Sequence, residues 1–196
     1  MKIILDICGG TGSWSRPYQE NDQEYTVYNL TLPKFDILKD ELPVDPLCVY
    51  GILAAPPCTD FSAAGNRLWK QKDENGQTKK SLDIVFRCME IIKQCRNIRF
   101  WALENPRGRL KNYIGTPSWE LNYKDFGCNY SKIVLLWGSF TPPLPEYIAY
   151  SNEFIKAKLP ELPKEYILSG SNMTERAARR SITYNGFAKA FYSVNR

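Results

Sequence analysis

Lys2-Ile3-Ile4-Leu5-Asp6-Ile7-Cys8-Gly9-Gly10-Thr11-Gly12 stands at the head of the chain. Lys2 to Ile7 is short, apolar and ended by glycines, the pattern of a buried strand running into a tight turn. Glycines after a first strand let the backbone approach a ligand closely, and a helix that follows offers it free N–H groups. Taken alone, the fragment suits a plain tight turn equally well. The full dinucleotide signature G-x-G-x-x-G is not met: Gly10 and Gly12 match its first two glycines, and Ser15 stands where the third belongs. The stretch therefore favours a nucleotide-like cofactor over a nicotinamide dinucleotide, and argues against an ordinary dinucleotide oxidoreductase.

Working outward, Pro17 falls in the first turn of a brief helix, where its missing N–H costs nothing. Tyr25 to Asn29, aromatic and β-branched, predicts a second strand. Cys48 to Ala54 is a third apolar run, stopped by Pro56-Pro57. Gly65 to Lys80 is polar and holds the turn pair Asn75-Gly76, so it reads as a mobile loop. Ser81 to Cys95 is the clearest helix, with Leu82, Val85, Phe86, Met89 and Ile92 on one face. Ile98 to Leu103 and Lys132 to Trp137 predict further strands. Prolines 142, 143, 145, 160 and 163 mark an irregular excursion at about 139–172, and the helical pattern returns near Glu175 to Arg180 and Phe187 to Val194. Strands alternating with helices imply an α/β, Rossmann-like fold: a mostly parallel sheet with helices on both faces. At 196 residues the chain suits a single domain with a real core.

The hydrophobic fraction of 43% is that of an ordinary soluble globular protein. A formal charge of +5 permits a polyanionic partner without requiring one. No apolar run is long enough to span a bilayer, and Asp6 interrupts the first apolar stretch before a signal-peptide core could form. The expected setting is cytoplasmic, with no membrane partner. None of the six cysteines forms a C-x-x-C pair, which leaves zinc ribbons and thioredoxin-like sites without support. The chain has no histidine, so Ser-His-Asp triads, Cys-His dyads and H-E-x-x-H zinc sites are all excluded. No metal is expected.

Four motifs occur in one order: the glycine loop, Asp36-Ile37, Pro56-Pro57-Cys58-Thr59-Asp60-Phe61-Ser62, and Glu104-Asn105-Pro106. Strand two ends without the carboxylate that usually grips a ribose, and Asn29 is the substitute acceptor. Asp36-Ile37 is placed to receive an adenine amino group, or is simply a solvated loop. Cys58 is presented from a tight turn, and Glu104 ends an apolar run. A free thiol has a pKa near ~8.5, so a nucleophilic Cys58 needs nearby positive charge or N–H groups.

With these residues the chain resembles the DNA (cytosine-5) methyltransferase family, particularly its short phage-type members. Asp6-Ile7-Cys8-Gly9-Gly10-Thr11-Gly12 is similar to that family's Asp-x-Phe-x-Gly-x-Gly loop for S-adenosylmethionine. Pro57-Cys58, Phe61-Ser62 and Gly65 match its Pro-Cys nucleophile loop, and Glu104-Asn105 its Glu-Asn-Val. The resemblance covers about residues 1–138 and resumes near Asn185-Gly186. It implies methyl transfer from S-adenosylmethionine to C5 of cytosine in DNA. Cys58 would add to C6, and Glu104 would polarise the ring at N3. Asp6, Cys8, Gly9, Gly10, Gly12, Trp14 (as an aromatic wall), Asn29, Asp36, Ile37, Pro56, Asn185 and Gly186 would line the cofactor. Pro57, Ser62, Arg67, Asn105 and Lys132 would meet the substrate, with Asn105 and Pro106 shaping the turn that aims Glu104. Arg67, Lys70, Lys72, Lys79 and Lys80 would offer phosphate contacts and Trp69 a stacking face, on a base flipped from the duplex or already single-stranded.

The chain also departs from the family. Its Gln-x-Arg-x-Arg stretch corresponds to Tyr130-Ser131-Lys132-Ile133-Val134, and residues 139–172 are too few for a full target-recognition domain. These departures leave room for a protein partner or homodimer in target recognition. They also leave open methylation of single-stranded DNA, RNA or a nucleotide, and a nucleic-acid-binding relative that has lost turnover.

Overall fold

The structure, a computed structural model, describes residues 1–145 and 182–196. In chain order its elements are β1 (Lys2–Ile7), α1 (Arg16–Gln19), β2 (Tyr25–Leu30), β3 (Val49–Ala54), α2 (Trp69–Glu74), α3 (Gln77–Gln94), β4 (Phe100–Pro106), α4 (Lys111–Ile114), β5 (Trp119–Asn122), β6 (Ile133–Ser139) and α5 (Asn185–Val194). The six strands form one sheet in the order β2-β1-β3-β4-β6-β5. Pairing is parallel from β2 across to β4 and antiparallel for β4–β6 and β5–β6. The result is a mixed α/β fold.

This topology positions the site. The carboxyl ends of the four parallel strands share one edge, so the loops after β1, β3 and β4 emerge side by side. Because β6 runs the other way, its amino end, preceded by Lys132, reaches the same edge.

Both faces of the sheet are buried. On one, Trp14, Tyr18, Phe100, Tyr123, Phe187 and Phe191 gather beneath α1 and α5. On the other, Val85, Cys88, Ile91 and Ile92 of α3 pack on Leu5, Ile7, Ile52, Leu103 and Leu135. A strand buried on both sides must be apolar almost throughout, which is why β1 and β3 read as continuous hydrophobic runs. Among the described residues, no helix is long and apolar enough to cross a membrane.

Two expectations need correction. Residues 65–80 are not a loop: a 3-10 segment over Ala63–Leu68 runs into α2, and α3 begins at Gln77. The apolar periodicity is missing there because the inward side chains are polar and held by hydrogen bonds, as described below. Asn75-Gly76 does form the turn, with Gly76 at φ 76°. Next, β4 continues through Glu104, Asn105 and Pro106, which pair with Leu136, Leu135 and Val134. Asn105 and Pro106 therefore extend the strand, and the chain turns at Arg107-Gly108. One strand is additional: β5, at the sheet edge, has four residues, too few to show a period-two pattern. The Pro-rich excursion from 146 onward and the helical pattern near Glu175 to Arg180 lie outside the described residues.

Candidate active site

The loop after β1 bends through three positive φ angles, at Cys8 (56°), Gly10 (57°) and Gly12 (69°). Gly9 is required by close approach: a Cβ there would lie 2.2 Å from the Asp6 carboxyl. Two contacts fasten the loop to β2 and the residue that follows it. The Gly10 N–H donates to Thr31 Oγ1 at 3.0 Å, and Asn29 Nδ2 donates to the Gly10 carbonyl at 3.2 Å. Asp6 is fully buried and accepts from the Ser15 hydroxyl at 2.6 Å. Its other oxygen, and Asn29 Oδ1, are buried without a hydrogen-bond partner. These two unsatisfied acceptors flank a backbone held open by glycines, an arrangement suited to a donor-rich or cationic ligand.

Burial raises the Asp6 pKa from 3.8 to about 6, opposed by the Ser15 hydrogen bond. The sign follows from linkage. The native state holds the proton more tightly than the unfolded chain, so this contribution to stability is full below about pH 4. It is lost as pH rises through 6. Asp6→Asn is expected to abolish it. In urea unfolding, the stability difference between parent and variant should change by up to about 3 kcal/mol between pH 4 and 7.

The other expected cofactor residues are more dispersed. Trp14 is only 2% exposed and packs edge-on to Phe191, so its ring serves the core rather than forming an open wall. The Cys8 side chain faces Cys88 of α3, on the opposite face from Asp6. The Asp36 carboxylate accepts the Leu38 N–H at 3.1 Å and pairs with Lys39 at 2.8 Å, and Ile37 belongs to the α3-side core. Asn185 is exposed at the start of α5. Gly186 packs where a Cβ would come within 2.3 Å of the Phe126 carbonyl. It is Thr183, two residues before Asn185, that touches the glycine-loop region, its N–H donating to Ser13 Oγ at 3.0 Å.

After β3 the two prolines break strand pairing, and the chain closes a tight turn. The Phe61 and Ser62 N–H groups both donate to the Cys58 carbonyl, at 3.1 and 2.9 Å. Phe61 anchors this turn in the core, while Cys58 is half-buried and Pro57 exposed. Ser62 caps the following 3-10 segment and bridges to Gly108; Arg67 lies exposed beyond it.

Glu104 comes to the same edge from the neighbouring strand. Asn105 Nδ2 donates to the Pro56 carbonyl at 3.2 Å, tying the end of β4 directly to the Cys58 turn. Cys58 is two residues from one end of this bond, and Glu104 is one residue from the other. The Glu104 carboxyl is buried and lies 3.8 Å from the Lys132 ammonium, which also sits 4.9 Å above the Tyr123 ring. Burial raises the Glu104 pKa, and Lys132 opposes the rise.

Two expected nucleic-acid contacts are turned inward. Lys72 is largely buried and bonded to Asp60 and to the Thr59 carbonyl, and the Trp69 face is occupied by the Arg109 guanidinium at 4.8 Å. Lys70 and Lys79 are exposed and face Glu74 and Asp83. Sequence reasoning missed Asp60, Arg109, Tyr123 and Thr183, because their roles come from tertiary contacts rather than from any local pattern. Among the described residues, no group of three or more Cys, Asp or Glu side chains is placed to hold a metal.

No family profile matches the chain. It is 30% identical over 166 residues to a protein of Frog virus 3 (isolate Goorha) named "Probable DNA (cytosine-5)-methyltransferase", with 74% of each chain covered. That extent of similarity, along a chain whose thiol turn and buried glutamate meet at one sheet edge, assigns the protein to the DNA (cytosine-5)-methyltransferase family.

Proposed function

We propose that this chain transfers a methyl group from S-adenosylmethionine to C5 of cytosine in DNA, within a Rossmann-like catalytic domain and through a transient bond between Cys58 and C6. One observation carries the reading: the hydrogen bond from Asn105 to the Pro56 carbonyl, which couples the strand bearing buried Glu104 to the turn bearing half-buried Cys58.

The glycine loop fits the cofactor in its chemistry. The free oxygen of Asp6 and Asn29 Oδ1 offer acceptors to its ammonium and hydroxyl groups, and Gly9 leaves the backbone approachable. S-adenosylmethionine supplies an electrophilic methyl when bound.

The protein's task is to make C5 nucleophilic. Cys58, as thiolate, adds to C6 and pushes electron density towards C5. Protonated Glu104 donates to ring N3 and stabilises the charge that develops there. Burial keeps the carboxyl protonated to higher pH than an exposed glutamate. C5 takes the methyl and S-adenosylhomocysteine leaves; the C5 proton then passes to solvent water, its bonding pair restores the C5–C6 double bond as the sulfur–C6 bond breaks, Cys58 departs as thiolate and N3 returns its proton to Glu104. A base stacked in a duplex is out of reach of the thiol, so the target is extruded or single-stranded.

Lys132 favours a second reading, a nucleic-acid-binding relative without turnover. It stands 3.8 Å from Glu104 and opposes the protonation that the ring requires. Oligonucleotides containing 5-fluorocytosine separate the two readings. Fluorine cannot leave C5 as the proton does, so a working enzyme given S-adenosylmethionine stays covalently attached. The expected result is a denaturation-resistant adduct on single- or double-stranded DNA. DNA binding with no adduct on either would establish the second reading and end the first.

A further inference from the structure

The backbone of the nucleophile turn is held in an unusual way. Each carbonyl from Cys58 to Phe61 accepts a hydrogen bond. That of Cys58 takes the Phe61 and Ser62 N–H groups, within the turn itself. The Thr59 carbonyl accepts from Lys72 Nζ at 2.8 Å. The Asp60 carbonyl accepts from Arg109 Nε at 2.9 Å, and the Phe61 carbonyl from the Arg109 backbone N–H at 2.8 Å.

The side chains bearing these donors are themselves locked. Asp60, 2% exposed, accepts from Lys72 at 2.7 Å and from Ser81 of α3 at 2.5 Å. Arg109 donates to both Asp73 oxygens at 2.8 Å and to Thr78 Oγ1 at 2.8 Å, with its guanidinium over Trp69. Two cations and two carboxylates thus join the turn to α2, α3 and the chain after β4. Buried ion pairs contribute little stability beyond what apolar packing would give; what they add is direction. Arginine's planar fork defines a single arrangement of its partners, which lysine cannot copy.

We propose that Asp60 and Arg109 are positioning residues, which hold the Cys58 turn rigid so that its sulfur is aimed at the pyrimidine ring. The inference rests on the proposed role of Cys58. The turn carries the nucleophile, and the network grips the three residues that follow it. Loosening it should cost turnover rather than affinity, while leaving the thiol more open to a small reagent.

The test uses Asp60→Asn and Arg109→Lys, which keep size or charge and so spare the fold. Methyl transfer is measured alongside iodoacetamide labelling of each cysteine, mapped by peptide mass spectrometry. In each variant kcat is expected to fall about 10²-fold while KM for DNA and cofactor stays within about threefold. Labelling of Cys58 should rise about tenfold, while buried Cys88, Cys95 and Cys128 label as in the parent. If all four thiols label faster together, the network merely holds the fold and the proposal is overturned. Unchanged labelling of Cys58, or faster labelling with unchanged kcat, overturns it as well. A parent without methyl transfer on any cytosine substrate refutes the proposed activity instead, and the labelling pattern still decides whether the two residues hold the turn.

Discussion

Cys58→Ser is expected to eliminate the covalent adduct with 5-fluorocytosine DNA and to lower methyl transfer by about 10⁴-fold or more. A hydroxyl at this position cannot ionise appreciably near neutral pH, and nothing in the chain can activate it by the usual route, because there is no histidine. The substitution changes one atom on a half-buried side chain, so the melting temperature should move by no more than about 2–4 °C. Binding of S-adenosylhomocysteine, followed by calorimetry, should be unchanged, since the glycine loop hangs from a different strand. Retention of adduct or turnover in this variant would show that the attacking sulfur lies elsewhere.

Glu104→Gln is the second large effect. The amide cannot pass a proton to ring N3, and a loss of about 10²–10⁴-fold in kcat is expected, with cofactor affinity preserved. The parent's pH profile should carry the signature of the same group. Burial, the larger influence, raises the Glu104 pKa and Lys132 lowers it. Activity that needs the protonated carboxyl therefore falls as pH climbs through the raised value. Lys132→Gln removes the opposing charge, so that alkaline limb should move to higher pH. A limb that stays in place in both variants would assign it to some other group.

The elements legible in the sequence were those whose side chains obey a single rule. In β1 and β3, buried on both faces, nearly every residue is apolar, and in α3 one face repeats with helical spacing. Residues 65–80 follow a different rule. Trp69, Lys72 and Thr78 turn inward from that segment and, with Ser81 just after it, meet Asp60 and Arg109, so a polar inner side imitates a polar loop. β4 was cut short for a related reason. Glu104 looked like the end of an apolar run, yet it is a strand residue whose charge is met by Lys132 from across the sheet. Local motifs brought Cys58, Asp6 and Glu104 to notice. The contacts that hold the Cys58 turn come from further away, Asn105 reaching Pro56 and Arg109 reaching Asp60 each across 49 residues of sequence, and no local pattern links such positions.

The sheet with two buried faces has a consequence for how this chemistry can change. The thiol's support is rooted among α3 and its apolar neighbours, whereas the glutamate looks into the aromatic cluster on the reverse side. Lesions placed well apart in these two foundations should carry energetic penalties that sum rather than compound. In the proposed reaction each half can then drift, weaken or be re-engineered while its counterpart keeps its own setting, up to the seam where the end of β4 and the chain beyond it meet the Cys58 turn, through Asn105 on the Pro56 carbonyl and Arg109 on the Asp60 and Phe61 carbonyls.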